Sequence, residues 1–187
     1  MAPTKASLAW TDAGGEMAPV ETGARVNGLD VAELREFIES VEADRSNADR
    51  EAAITSRWIG GLRSAATSKL GGPTVFMGGD EDPGAMGMLL RCLAACDIEV
   101  VVTKATLLGI HIEELTIEAT GDFNVARYLG IGEDESSGYR NVTYVVHLRT
   151  SGATPEQIEE IRVALEASPV ADTIARRVPV TLVLDVT

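Results

Sequence analysis

The stretch MGMLLRCLAACDIEVVVTKATLL, residues 86–108, decides the fold. Apolar residues fall on nearly every side of a helical wheel drawn through it, which is typical of a helix that the rest of the protein encloses. The stretch is long enough to cross a bilayer, but it contains four charged residues, and a charge near the middle of a membrane costs about 3 kcal/mol. These residues are Arg91, Asp97, Glu99 and Lys104. The sequence therefore predicts a buried core helix and no membrane span.

Both cysteines of the chain, Cys92 and Cys96, lie in this helix one turn apart, so they share a face. Any thiol chemistry is expected here. Free cysteines are often simply small buried apolar residues, so an inert role stays open for both. The chain has two His and two Cys at no spacing typical of metal ligands. The sequence therefore predicts neither a metal site nor a cofactor.

The composition is that of one globular domain, with 187 residues and 45% hydrophobic content. The net charge of −13, from 16 basic and 29 acidic residues, would repel nucleic-acid backbones and anionic lipid. Two cysteines do not make a disulfide framework, and no signal-peptide core is visible near the N-terminus. The sequence thus predicts a cytoplasmic protein that binds neither nucleic acid nor membranes.

The segments before the central helix predict a tail, a helix and a hairpin. Residues 1–26 are rich in Ala, Gly, Pro and Thr without a sustained period, which predicts a flexible arm. Asp30 and Glu33 have capping-box spacing, and an apolar stripe from Val31 to Val41 predicts an amphipathic helix through about Ala43. Residues 53–59 and 62–69 are predicted strands around a Gly60-Gly61 turn, and residues 74–77 a further short strand. The acids at residues 80–82 lie just before the central helix and are predicted to stabilise its N-terminus.

The segments after the central helix alternate between strand and helix patterns. Residues 110–120 and 141–149 alternate apolar and polar side chains and predict two long strands. Thr154, Pro155 and Gln157 predict the start of a helix, and Ser168-Pro169 repeats this N-cap and proline signature. Residues 178–186 alternate again and predict a terminal strand. The gathered helices indicate an α+β fold with mainly antiparallel sheet.

Taken together, these segments resemble the OsmC/Ohr family. The segments that carry the resemblance are Leu93-Ala94-Ala95-Cys96, Asp82-Pro83-Gly84, the strand at 109–115 and the tail at 168–173 followed by 178–180. The resemblance runs from about Arg57 to the end, and residues 27–50 look like the N-terminal helical extension of a bacterial branch. It implies one OsmC-like domain over residues 27–187, with antiparallel sheets wrapped around two central helices. It also implies an intertwined homodimer with active sites at the subunit interface.

The resemblance further implies thiol-dependent reduction of organic hydroperoxides. Cys96 matches the family's peroxidatic cysteine. A free thiol has a pKa of about 8.5, and Cys96 lies too far inside the helix for its N-terminal dipole to act strongly, so a nearby cation is needed. Arg63 best matches the family's activating arginine, and the register leaves Arg57 as the alternative.

Two positions depart from the pattern of the family's peroxidases. Their second cysteine precedes the Pro-Val of the tail, where this chain has Ser168, and the glutamate that holds the arginine is replaced by Met86 or Gly87. A disulfide between Cys92 and Cys96 conflicts with the geometry of an intact helix. The resemblance therefore implies a one-cysteine mechanism with an external thiol as reductant. Two alternatives stay open, namely a module that binds a small apolar ligand and a hydrolase with a cysteine nucleophile.

Overall fold

The computed structural model describes residues 25–132 and 136–186, so the predicted arm lies outside it except for its last two residues. All strand pairs in the described part are antiparallel, in one three-stranded sheet and two two-stranded sheets. This confirms the α+β class. In chain order the elements are β1 (Arg25–Val26), β2 (Leu29–Asp30), α1 (Val31–Ala43), β3 (Ile54–Gly60), β4 (Arg63–Ser68), β5 (Val75–Met77), α2 (Ala85–Leu107), β6 (Ile112–Phe123), β7 (Tyr139–Thr150), α3 (Pro155–Leu165) and α4 (Pro169–Ala175).

Helix α2 is the predicted central helix, but only one of its sides is buried within the chain. Its buried stripe recurs every four residues, at Leu93, Asp97, Val101 and Ala105. Leu89, one turn before the stripe, and Ile98, beside it, are each 37% exposed. The prediction of a helix enclosed on all sides is wrong for the single chain, because the other elements cover only this stripe. Among the described residues, no helix combines the length and apolar character that crossing a bilayer requires.

The core lies where the second half of α2 meets α3 and the β6–β7 sheet. Val101, Ala105, Ile110 and Ile161 are buried together there. The predicted capping box at Thr154 is confirmed, since the Thr154 side chain accepts from the Gln157 backbone while the Gln157 side chain accepts from the Thr154 backbone. This cap fixes the start of α3, so that the helix period brings Ile161 onto the core.

Asn27 ties the N-terminal turn to the end of α2. Its Nδ2 donates to the Ile110 carbonyl at 2.9 Å and to Thr106 Oγ1 at 3.2 Å, and its Oδ1 accepts from the Ile112 N–H at 2.9 Å. Its backbone φ is 51°, a left-handed conformation that Asn tolerates better than most residues. One side chain thus joins the β1–β2 turn to the start of β6.

Replacing Asn27 with Ala is expected to lower the free energy of unfolding by about 2–4 kcal/mol, because part-buried groups lose their partners and Ala is strained at positive φ. Asn27→Gly keeps the backbone conformation without the hydrogen bonds and should lose less. Urea unfolding followed by circular dichroism measures both. As a control, Asn47→Ala removes one exposed bond to the Ser40 carbonyl and should change stability by about 0.5 kcal/mol or less. A loss for Asn27→Ala as small as the control's would contradict this role.

Two apolar segments stay exposed in the single chain. The β3–β4–β5 sheet packs mainly within itself, and Trp58 and Leu62 are 76% and 83% exposed. The predicted terminal strand at 178–186 does not form, and Val180 and Leu182 in it are 91% and 86% exposed. That prediction is wrong for the single chain, because a strand needs a neighbouring backbone to bond and no described strand pairs with this segment.

Candidate active site around Cys96

Cys96 lies at the edge of the buried stripe of α2. Leu93 and Asp97, on either side of it along the helix, are buried, whereas Cys96 itself is a free and partly exposed thiol. The Ser168 hydroxyl donates a hydrogen bond to Cys96 Sγ at 3.5 Å. The arrangement gives the Cys96 sulfur a hydrogen-bond donor from a distant part of the chain.

Backbone hydrogen bonds to the end of α3 and to α4 hold Ser168 in place. Its backbone N–H donates to the Leu165 carbonyl at 3.1 Å, and its carbonyl accepts from the Asp172 N–H at 2.8 Å. The predicted start of a helix at Pro169 is confirmed, but the Ser168 side chain makes no capping bond. The fully buried hydroxyl turns to Cys96 instead. The N-cap signature therefore predicted the start of the helix correctly, but the Ser168 side chain bonds Cys96 and does not cap the helix.

Arg63 begins β4, and the loop before α2 holds its guanidinium. Nε and Nη2 donate to the same oxygen of Asp82, at 3.1 and 2.8 Å. The hydrogen bonds and charge of Asp82 raise the pKa of Arg63 further above its ordinary value, so the guanidinium stays positive. Its side chain is 43% exposed. Arg63 is therefore a positioned cation that still faces outward.

The close approach of this loop to Arg63 depends on glycine. A Cβ added at Gly79 would lie 2.9 Å from Arg63 Cγ, and the φ of this glycine is +74°. Both the space and the backbone conformation therefore exclude an ordinary side chain. The Gly78-Gly79 pair, which carries no phosphate-loop signature in the sequence, serves to bring Asp82 to the arginine.

Within the described part of the chain, no hydrogen bond joins the predicted pair, Cys96 and Arg63. In residues 25–132 and 136–186, the hydrogen bonds of Arg63 go to Asp82, and the side-chain hydrogen bond of Cys96 comes from Ser168. Arg57, the alternative arginine, lies in β3 opposite Ala65 with an exposed side chain. Each chain thus presents one thiol that accepts from Ser168 and one guanidinium that donates to Asp82.

A family model described as OsmC-like protein matches residues 78–183, a range that includes Cys96, Ser168 and Asp82. The chain belongs to the OsmC family. The match begins after Arg63, so the family model does not reach the arginine.

Solved OsmC-like structures share this fold. The OsmC-like protein of Mycoplasma pneumoniae is 20% identical, with a TM-score of 0.57 over 68% of this chain and 89% of its own. An OsmC-like protein of unknown function from Vibrio cholerae is 14% identical, with a TM-score of 0.50 over 67% of this chain and 94% of its own. A search of curated proteins finds no match. At these identities the likeness shows the OsmC-like fold and confirms that predicted architecture for the single chain.

In this OsmC-like protein Asp82 contacts Arg63, the arginine that the resemblance predicted for the site. The sequence interpretation gave the acids of residues 80–82 to the N-terminus of α2, but the N-cap residue is Gly84 and it receives no side-chain bond. Asp82 contacts Arg63 from a position 19 residues away along the chain. The departure at Met86 and Gly87 therefore leaves the guanidinium with a carboxylate partner.

Asp97, directly after Cys96, is a buried acid that sequence reasoning did not predict to be buried. It is 0% exposed, and neither carboxyl oxygen has a hydrogen bond of ordinary geometry in the described part of the chain. Burial raises the pKa of Asp97, and the nearby Ser168 and Tyr144 side chains oppose that shift only in part. Burial, followed by the Asp97 charge, likewise raises the pKa of Tyr144. An acid at 97, directly after Cys96 and inside an apolar helix, was the available signal.

A cleft of about 350 Å³ opens beside these residues. Leu93, Tyr139, Tyr144 and Ile174 are among the side chains that line it. Neither Cys96 nor Arg63 belongs to its lining, so this cleft does not place a ligand on the sulfur. The other free thiol, Cys92, is exposed one turn before Cys96 on α2.

Proposed function

We propose that this OsmC-family protein is a homodimeric, thiol-dependent peroxidase that reduces organic hydroperoxides through Cys96. The observation that carries the proposal is the buried Ser168 hydroxyl donating to a partly exposed Cys96 sulfur. A thiolate is the reactive form of cysteine toward peroxides, and a donor at the sulfur stabilises it. Family membership supports the same chemistry, and a reducing cytoplasm suits two free cysteines.

In the proposed reaction, the Cys96 thiolate attacks the distal oxygen of the hydroperoxide. An S–O bond forms as the O–O bond breaks, and the alkoxide that leaves takes up a proton to become an alcohol. Cys96 is oxidised to a sulfenic acid. An external thiol then attacks the sulfenic sulfur, water leaves, and a second external thiol reduces the mixed disulfide and returns the Cys96 thiol.

The exposed apolar surface supports the homodimer. Helix α2 is buried along one stripe, the β3–β4–β5 sheet packs mainly within itself, and residues 178–186 expose alternate apolar side chains. Monomeric proteins rarely leave such surfaces in water. A second copy would cover all three, and would bring Arg63 of one subunit to Cys96 of the other. The half-exposed guanidinium then supplies the cation that the thiolate needs.

The function test treats reduced protein with one equivalent of cumene hydroperoxide in the presence of dimedone. Peptide mass spectrometry should find the sulfenate adduct on Cys96, and light scattering should give twice the 19.8 kDa chain mass. Peroxide that remains unconsumed, together with an unmodified Cys96, would refute the peroxidase. A monomer would refute the shared site.

Arg63→Ala is expected to lower kcat/KM for the hydroperoxide about tenfold or more, because the thiolate loses its cation. Arg57→Ala is the matched control from the other strand of the hairpin and should change it by less than about twofold. A heterodimer of Arg63→Ala and Cys96→Ser chains separates the geometries. It holds one complete site if Arg63 acts across the interface and none if it acts within its own chain. Equal losses in the two arginine variants would remove Arg63 from the site.

A further inference from the structure

Cys96 has no second thiol in its own chain that is placed to form a disulfide with it. The chain contains two cysteines, and the other one, Cys92, lies four residues earlier on α2. Side chains four residues apart on a helix hold their Cβ atoms about 5–6 Å apart, whereas a disulfide needs about 3.5–4.5 Å. Both cysteines lie well inside α2 (Ala85–Leu107). A bond between them would therefore require the helix to unwind.

A hydroxyl occupies one side of the Cys96 sulfur. Ser168 Oγ lies 3.5 Å from Cys96 Sγ, and Ser168 is 0% exposed. A hydroxyl forms no disulfide, so it cannot return a sulfenic acid at Cys96 to the thiol. Cys96 itself is partly exposed. A hydroperoxide and an external thiol must therefore both reach the sulfur from its exposed side, where they compete for the same sulfenic acid.

We infer that the hydroperoxide substrate also inactivates this protein, by oxidising the Cys96 sulfenic acid to a sulfinic acid whenever external thiol is scarce. This inference rests on the proposed function, because it concerns a second fate of the sulfenic acid that the proposed reaction forms. The site thus reduces hydroperoxide only while the supply of thiol keeps pace, and excess hydroperoxide turns it off.

In the inactivating step, the sulfenic sulfur attacks the distal oxygen of a second hydroperoxide molecule. A second S–O bond forms as the O–O bond breaks, and the alkoxide that leaves takes up the proton released by the oxidised sulfur group. The sulfur loses two electrons, and the hydroperoxide gains them and becomes an alcohol. Thiols do not reduce a sulfinic acid, so the loss of activity is irreversible.

The test treats the reduced, full-length protein with one equivalent of cumene hydroperoxide and, separately, with a large excess. One equivalent in the presence of dimedone should give the sulfenate adduct on Cys96. The excess without thiol should add two oxygens to the chain, and peptide mass spectrometry should place both on Cys96. Activity assayed afterwards with dithiothreitol should fall in proportion to this product. Dithiothreitol present during the exposure should lower the sulfinic yield about tenfold or more.

A thiol added beside Cys96 should protect it. In the Cys92→Ser/Ser168→Cys variant, an intramolecular attack on the sulfenic acid competes with the second hydroperoxide at high effective concentration. The sulfinic yield should therefore fall about tenfold or more relative to Cys92→Ser. Ser168→Ala removes the hydroxyl without supplying a thiol and should still form the sulfinic acid. Cys92→Ser alone should match the parent protein, because Cys92 does not resolve Cys96.

Two results would overturn the inference and leave the proposed function intact. One is a sulfenic acid that dimedone traps but that gains no second oxygen under excess hydroperoxide. The other is a disulfide, within α2 or between two chains, that forms in the parent protein, keeps Cys96 from the second oxidation and is lost in Cys92→Ser. If one equivalent of hydroperoxide gives no sulfenic acid at all, the proposed function fails and this inference fails with it.

Discussion

Replacing Cys96 with Ser is expected to lower the rate of hydroperoxide reduction by about a thousandfold or more, to the uncatalysed background. A serine hydroxyl is not ionised at neutral pH and forms no sulfenic acid, so the S–O bond that accepts the peroxide oxygen is lost. Consumption of cumene hydroperoxide, followed with an excess of dithiothreitol, measures the effect. The fold should persist because sulfur and oxygen differ little in size.

Cys92→Ser is the matched control for this experiment. Cys92 lies one turn earlier on the same helix and is exposed. If Cys96 alone carries the chemistry, Cys92→Ser should retain at least about half of the activity, as most exposed substitutions do. Loss of activity in Cys92→Ser with full activity in Cys96→Ser would show that Cys92 is the reactive cysteine and would refute the proposed role of Cys96.

Replacing Ser168 with Cys is expected to convert the one-cysteine mechanism into a two-cysteine mechanism. The Ser168 oxygen already lies 3.5 Å from Cys96 Sγ, so a thiol at this position would be next to the sulfenic acid. Its attack would release water and form an intramolecular disulfide faster than dimedone or an external thiol can react. After one equivalent of peroxide, the mass should fall by two hydrogens, and the dimedone adduct should decrease about tenfold or more.

The disulfide has to be assigned to the right pair. In the Cys92→Ser/Ser168→Cys variant the same mass loss should occur, and peptide mapping should join position 168 to Cys96. A dimedone adduct that forms as readily as in the parent protein would show that the two side chains do not approach closely enough for a disulfide, which requires Cβ atoms about 3.5–4.5 Å apart.

Much of the fold could be predicted because its signals are local. The N-cap at Asp30, the capping box at Thr154 and the proline at 169 each involve residues within four positions of one another, and the structure confirms all three helix starts. The hairpin at Gly60-Gly61 and the alternation in β6 and β7 were equally readable. The prediction of a terminal strand at 178–186 was wrong for the single chain. Alternating apolar residues indicate that a segment can form a strand, but they do not identify the strand that would pair with it.

The candidate site was predicted in part. Cys96 and Arg63 came from the family resemblance, and their pairing across two chains remains a proposal. Asp82 was assigned to helix capping, and Asp97 was treated only as one of the charges that exclude a membrane. Both errors have the same origin. The sequence shows which side chains are charged, but the partner of a charge is set by whichever residues the fold brings beside it.

Local patterns in the chain were sufficient to predict the α+β class, the starts of the helices, and the one helix that contains both thiols. Those features follow from contacts between residues a few positions apart, which the order of residues specifies directly. Three long-range contacts became visible only in the folded chain: Ser168 donates to Cys96 over 72 positions, Arg63 donates to Asp82 over 19, and the Ile112 N–H donates to Asn27 over 85. The entropic cost of closing a loop rises by only about 0.6 kcal/mol for each doubling of its length, so sequence separation selects no particular partner. These contacts are therefore decided by how whole helices and strands pack.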